Sequence, residues 1–512
     1  MRAAHNRWPS AGATERAVFG LLVVAFICGL GLLAALVPVG HGFTPKGGGW
    51  FTPAVVGGLF TLHPLFFALP SAACFVLGLL DWRRPWRVEH ADLLALAGFF
   101  PVAMLLSDDL SQAGLWLAAG CLGWLSVRMA GAWFGIWRMP QLRPSVSSRW
   151  LGRAILILLV VRIGSIAAGN ILDAGQASSL GAWRLLHGLR LYGAVSWQAP
   201  GGFQILRPDT YGPFAYYAYL PFVLVFPPAP AVLATLLPAV CFDAATLAGL
   251  YILGRRLGGR RLAQAFMFAY LLYPFPGLSL MAESNDGLIA ALCVWTLVVA
   301  TDRPVGRGLL MAAAAATKFL PALLALQFLG QRQGRSRYAL TFAAALTAML
   351  AWPLITSGPA AFLDSTFGYQ LWLRGGGAQF SIWTYLPRVE TVARAVLAAA
   401  LLLLAISPMR RASAQGARQQ AALAAALLIG AQLLLGYWFY SYVTWCYPLL
   451  IVAIIQPGWE PGAAGPSRDN LDRVADPDHV GVSQAAGPRL VGDEVDPEPD
   501  LLVPAAMPGQ GS

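Results

Sequence analysis

Apolar runs of roughly 17–25 residues, each long enough to cross a hydrocarbon core of about 30 Å, recur along this chain from one end to the other. That periodic apolarity leaves little choice of fold. A residue mix that is 57% hydrophobic and 12% charged, with mean hydropathy +0.61, belongs to an all-α polytopic membrane protein. A soluble domain with a large core is excluded. The first run, Ala17–Val39, is too long for the core of a signal peptide and lacks a clear cleavage site, so it is expected to stay as a span.

The formal charge of +11 does not point to nucleic acid. The basic residues fall in short clusters between the apolar runs, as expected where cytoplasmic loops collect lysine and arginine. Six cysteines stand singly in apolar segments, with neither disulfide-scaffold spacing nor a metal-binding pair pattern, and read as packing residues.

Placing every strongly basic loop in the cytoplasm fixes how many crossings separate each pair. Ala17–Val39 with Pro53–Leu80, and Ala91–Leu106 with Gly114–Trp137, form two out-and-back pairs. Ala154–Asn170 exits again, which makes Ile171–Thr210 extracytoplasmic. Before the basic "RRLGGRR" cluster, parity permits one crossing, so Ala229–Leu253 spans and the proline-bounded Tyr211–Phe226 is an interfacial or re-entrant helix. Leu262–Met281 and Gly287–Ala300 make a further pair hinged at "ESND". Tyr338–Ile355 exits to a second outer loop, Thr356–Glu390, and Thr391–Ile406, Gln420–Gly436 and Trp438–Ile455 bring the chain back. The sum is about 12 transmembrane helices plus re-entrant or interfacial helices, with both termini cytoplasmic. Three regions follow: a four-span block over 1–150, a membrane core over 151–456, and an acidic, Pro- and Gly-rich tail over 457–512 with no periodic apolar face, expected to be disordered.

One segment resists a single span. "AAAAATKFLPALLAL" carries Lys318, one of only two lysines among 35 basic residues, inside an apolar run flanked on both sides by basic loops. Two half-helices broken at Thr317–Pro321 satisfy both flanks, because proline removes a backbone donor. Broken helices are tolerated in membranes where they line a cavity. Lys318 is then expected at the tip of a re-entrant hairpin.

Intramembrane charge is costly and usually faces protein or water. Arg162 and Asp243 read most simply as an ion pair between neighbouring spans, and Arg128 as a structural or snorkelling residue. The remaining polar chemistry concentrates in the outer loops. Asp173 follows the span 154–170 by three residues, where partial desolvation raises a carboxylate's pKa and suits it to general-base work. The stretch 174–191 is amphipathic, with Leu180, Trp183, Leu186 and Leu191 roughly on one side, and fits a helix along the membrane surface. "RPDTYGPF" supplies Asp209 and Tyr211, and "ESND" supplies Glu283, Asn285 and Asp286, of which the Asn-Asp pair could equally cap the following helix. "GYQLWLRGGGAQFSIW" sets Arg374 beside three glycines, with Gln370 nearby and the aromatics Tyr369, Trp372, Phe380, Trp383 and Tyr385 around it, a phosphate-and-sugar binder or simply an aromatic belt with one charge.

The succession "ILDAGQASSLGAWRLLHGLRLYG", "DTYGPFAYYAYLPF", "CFDAATLAGLYILGRRL", "ESNDGLIAALCVW", "GLLMAAAAATKFLP", "GYQLWLRGGGAQFSIW" and "YWFYSYVTWCYPLL" resembles the bacterial membrane glycosyltransferases of the GT-C superfamily. The nearest group is glycosyltransferase family 87, typical of actinobacteria, over roughly 151–455. The resemblance implies a GT-C-like core and transfer of a sugar, often mannose, from a polyprenyl-phosphate carrier to an extracytoplasmic glycan or lipid acceptor with inversion. It puts the catalytic acid just after the core's first span, where Asp173 stands. It implies further that Lys318 and Arg374 hold the donor phosphate while Asp209, Tyr211, Glu283, Asn285, Asp286, Gln370 and Trp383 line the substrate site. The three glycines after Arg374 depart from the family pattern. No cofactor is called for; a divalent metal is not indicated, although Asp173, Asp209, Glu283 and Asp286 could gather around one.

Two other classes share parts of this pattern. A secondary transporter or lipid-linked-sugar flippase would also have a dozen spans and broken helices, but the two halves show no repeat and the polar residues gather in outer loops. A non-catalytic glycan-assembly protein would not need Asp173.

Overall fold

The computed structural model describes residues 65–81, 87–100, 111–144, 148–166, 173–198, 204–227, 233–299, 303–369, 381–410, 416–436 and 442–456. The expected first span, the acidic tail, Gln370 and Arg374 lie outside them. In chain order the helices are α1 (Leu65–Leu79), α2 (Val88–Ala97), α3 (Ser111–Phe134), α4 (Ser148–Ile166) and α5 (Asp173–Leu186). A small antiparallel hairpin, β1 (Ser196–Gln198) and β2 (Gln204–Leu206), pairs Trp197 with Ile205. Then come α6 (Pro213–Tyr217), α7 (Leu220–Val223), α8 (Leu233–Leu272), α9 (Pro274–Met281), α10 (Asp286–Val299), α11 (Pro304–Thr317) and α12 (Ala322–Leu329). The last are α13 (Arg335–Ser357), α14 (Pro359–Leu363), α15 (Glu390–Ile406), α16 (Ala417–Leu434) and α17 (Val443–Ile454). The hairpin is a small departure from the all-α expectation.

Prolines start helices here more often than they break them. Pro213, Pro274, Pro304 and Pro359 each sit in a first turn, where the missing N–H has no intrahelical partner to lose. The same holds at the lysine-bearing break. α11 ends at Thr317, the Lys318 backbone is extended, and Pro321 opens α12 instead of kinking α11.

Among the described residues, four helices are long and apolar enough to cross a membrane: 112–134, 233–272, 335–357 and 390–410. The 40-residue member is not one rod. Gly258 and Gly259 depart from helical dihedrals, and the Tyr270 hydroxyl donates to Asp243 at 2.9 Å. At about 1.5 Å rise per residue those two positions would lie about 40 Å apart on a continuous helix. The chain therefore folds back at the two glycines into antiparallel arms, as expected from the "RRLGGRR" turn.

A second fold-back surrounds Lys318. α11 has 14 residues and α12 has 8, and at the α-helical rise these run about 21 Å out and about 12 Å back. Gly334, just beyond α12, lies against the ring of Pro304, where α11 begins. The two ends of the hairpin thus meet. Buried small side chains, Ala312 to Ala316, let α11 pack closely on its neighbours, and Gly308 lies against the backbone of Tyr338 on α13.

The deepest core lies around α8, α10, α16 and α17. α3 joins it through Ser126, whose hydroxyl donates to the Ala426 carbonyl, and Trp133, whose indole donates to Ser407. By contrast Leu340, Trp352 and Ile355 on α13, and Val392, Val396 and Leu403 on α15, are exposed. Such apolar surfaces on long helices match a hydrocarbon surround.

Arg162 and Asp243 form the expected inter-helix ion pair, 3.3 Å apart, with the guanidinium 5.0 Å from the Tyr270 ring centre. Arg128 pairs with Asp92 on α2 at 3.6 Å and donates to the carbonyl of Arg138, just beyond α3.

Candidate active site

The candidate site gathers at one end of α10. α9 ends in a tight turn in which Glu283 adopts a left-handed φ of 53°. Ser284, not Asn285, caps the next helix by accepting the Asp286 N–H at 3.2 Å. That leaves the side chains of Asn285 and Asp286 for longer-range work. Asn285 donates to Ser178 on α5 at 3.0 Å, and Thr235 on α8 donates to Glu283.

Asp286 reaches the hairpin tip. Its Oδ1 lies 2.5 Å from the Lys318 ammonium and accepts the Trp445 indole N–H at 2.8 Å, while its Oδ2 accepts from Ser284 at 2.7 Å. Three rings surround the ammonium, with centres 5.5 Å (Tyr211), 4.9 Å (Tyr442) and 4.8 Å (Trp445) away. A cation within about 6 Å of a ring centre is attracted by its quadrupole. Tyr442 and Trp445 stack on each other at 4.4 Å, and Gln432 at the end of α16 donates to the Tyr442 carbonyl.

Backbone approach brings α5 and the "DTYG" loop to the same place. A Cβ on Gly175 would overlap the Glu283 carbonyl, and one on Gly212 would overlap that of Ala316. The Gly212 N–H donates to the Thr317 carbonyl at 3.0 Å. α5 is buried along most of its first half, with Ala177, Ser178, Leu180 and Ala182 all inside and Leu186 44% exposed. This corrects the expectation of an amphipathic helix lying along the membrane surface with Leu180, Trp183, Leu186 and Leu191 on one side: small residues let α5 sink into the protein. Asp173 is its first residue, two before the contact with Glu283.

Two expected site residues lie behind this centre. Asp209 is fully buried, and its Oδ2 accepts from Gly193 N–H at 3.1 Å, Ala194 N–H at 3.2 Å and the Ser365 hydroxyl at 2.6 Å. It knots the loop before the hairpin to the helical turn 364–368. Around it Tyr192 and Tyr216 bury their rings; loss of water, with the Asp209 charge adding, pushes both phenols well above their ordinary range. Trp383 is buried and donates its indole N–H to the Leu433 carbonyl at 2.8 Å. Phe319, next to Lys318, meets Phe362 edge-to-face and packs at a tilt on Phe367, which ties the second loop to the hairpin tip.

The sequence reading missed Trp445, Tyr442, Ser284, Ser178 and Thr235. The signal for the first two was in view: "YSYVTWCY" masses aromatics before an apolar helix, and aromatic faces suit a lone cation. Among the described residues no group of three or more His, Cys, Asp or Glu could hold a metal ion.

A helical membrane protein with a buried lysine–carboxylate pair caged by aromatic rings is the class defined by this fold and site. Residues 210–436 match the model of glycosyltransferase family 87, which supports a family 87 membrane glycosyltransferase. The match covers Tyr211, the "ESND" turn, Lys318 and the second loop, and ends before Tyr442. Among curated proteins, none matches the chain.

Proposed function

We propose that the protein transfers a sugar, mannose by family resemblance, from a polyprenyl-phosphate donor to a glycan or lipid acceptor on the extracytoplasmic face of the cell membrane, with inversion. In this reading Asp173 takes the proton of the acceptor hydroxyl, whose oxygen bonds to the anomeric carbon as the bond from that carbon to the phosphate oxygen breaks. The electron pair leaves on polyprenyl phosphate. Lys318 and Arg374 meet that phosphate and offset its developing charge. Tyr211, Glu283, Asn285, Asp286 and Gln370 shape the surrounding wall, with Asp209 and Trp383 supporting it from behind.

One observation carries the reading. The helix that begins at Asp173 rests on the same four-residue turn that pairs with Lys318, so the candidate base and the candidate phosphate cation share one support. The closed ends of the α11–α12 hairpin support a topology of about 12 spans with both termini cytoplasmic, because both basic flanks of the hairpin then face one side. A GT-C-like core over 151–456, with the four-span block and the tail as additions, goes with it.

The test uses the full chain in lipid nanodiscs with radiolabelled polyprenyl-phosphate-mannose. Transfer or slow release of label by the wild type, lost in Asp173→Asn and weakened in Lys318→Ala, is the expected result. A wild type that neither turns over nor binds the donor better than an empty nanodisc overturns the donor assignment, and other polyprenyl-linked sugars are tested next.

A further inference from the structure

The partner of Lys318 is itself an anion, and it is not free to leave. Asp286 is 2% exposed and is the first residue of α10. Its two oxygens are held by Ser284 and Trp445 independently of the lysine. Lys318 is the more open of the two, with 13% of its side chain exposed against 4% for Asp286, and among the described residues Asp286 is the one hydrogen-bond partner of its ammonium. The other N–H bonds of the ammonium are therefore the ones an incoming anion would meet, with the carboxylate fixed behind them.

Distance decides what that does. A phosphate oxygen would sit about 2.8 Å from the ammonium, which leaves the Asp286 carboxylate no more than about 5 Å from the phosphate. Coulomb energy falls as the inverse of distance, so at equal dielectric the carboxylate cancels roughly half of the attraction that the lysine supplies. A lone buried lysine would grip a lipid phosphate far more firmly than this pair.

We propose that Asp286 sets the phosphate affinity of the site: as a fixed carboxylate behind the Lys318 ammonium, it keeps polyprenyl phosphate loosely held so that this product leaves after transfer. The proposal rests on the reading of Lys318 as a phosphate-binding cation. It gives the acidic residue of the turn a role distinct from contact with the sugar, and makes Ser284 and Trp445 the groups that hold it in place. Release of product sets the turnover of many enzymes, so a device that weakens product binding raises turnover.

The experiment measures binding of polyprenyl phosphate, and of polyprenol without phosphate, to the full chain in nanodiscs. Asp286→Asn is expected to bind polyprenyl phosphate at least tenfold more tightly than the wild type, with polyprenol binding unmoved. A general loosening of structure would move both ligands. If Asp286→Asn does not fold, Lys318→Gln is compared with Lys318→Gln/Asp286→Asn, which carries no buried charge at the pair. The double variant is expected to bind the phosphate more tightly than the single. Equal or weaker phosphate binding when Asp286 is neutralised overturns the proposal. A wild type that binds polyprenyl phosphate no better than polyprenol overturns the underlying phosphate reading instead, and the two failures are thereby distinguished.

Discussion

Gly175 faces the carbonyl of Glu283 so closely that no side-chain carbon fits between them. Both partners are backbone, α5 on one side and the left-handed turn on the other, so neither yields without moving a helix. Gly175→Ala is expected to destabilise the protein by about 1–3 kcal/mol through overpacking. It should also separate the Asp173 helix from the Lys318 turn. Thermal unfolding in nanodiscs reads the first effect, and transfer of sugar the second. A Gly175→Ala protein with unaltered melting and full transfer would show that the two elements need not touch.

Asp209 distinguishes a scaffold from a substrate contact. Three donors converge on its Oδ2 from both loops. Removing this charged acceptor strands the half-buried Ala194 N–H, while the Gly193 N–H keeps Ser365 Oγ at 3.0 Å; the loss of the charged hydrogen bonds costs about 1–3 kcal/mol. Asp209→Ala should therefore lower the melting temperature more than Ser365→Ala. The double variant should cost less than the sum of the two, because the groups share one hydrogen-bond network. Donor binding measured well below the melting transition should stay near wild type. A large loss of donor affinity in Ser365→Ala with unchanged melting would instead place this pair in contact with substrate.

Much of this arrangement was legible in the sequence, and what was not has a physical reason. The break at Lys318, the fold-back at Gly258–Gly259 and the pairing of Arg162 with Asp243 follow from local rules: charge flanks, glycine dihedrals and the cost of burying a lone charge. The partner of Lys318 does not. Asp286 lies 32 residues before Lys318 along the chain and 159 before Trp445, so Lys318, Asp286, Tyr442 and Trp445 meet only through the packing of α10, α11 and α17; no local periodicity encodes which helices adjoin. α5 misled for a related reason. Its leucines trace an amphipathic stripe, but Gly175, Ala177, Ser178 and Ala182 are small enough for close approach, so the helix sinks into the protein and buries Leu180 while Leu186 stays exposed.

Gly259 tests the fold-back directly. Its φ of 78° and ψ of −169° lie where side chains are rarely tolerated, yet a Cβ there would meet nothing within 4 Å. Any cost of Gly259→Ala is then backbone strain alone, expected at about 1–3 kcal/mol. Insertion of one further glycine beside it should be milder, since it relaxes the turn. Thermal unfolding of the two variants checks the order. If the alanine variant melts like the wild type, the turn accommodates another conformation.

The pair of Arg162 and Asp243 couples α4 to the first arm of α8, with Tyr270 on the second arm donating to the same carboxylate. Breaking a buried pair strands a charge, which costs about 3–5 kcal/mol, whereas replacing both members by apolar residues of similar size is often neutral. Asp243→Ala is therefore expected to be the most damaging of three variants. Arg162→Met/Asp243→Leu should recover most of the loss, and Tyr270→Phe should cost about 1 kcal/mol, the net worth of one hydrogen bond. Melting in nanodiscs gives the ranking. The pair belongs to the transfer chemistry, and not to the frame alone, only if the apolar double variant melts like the wild type and has lost sugar transfer.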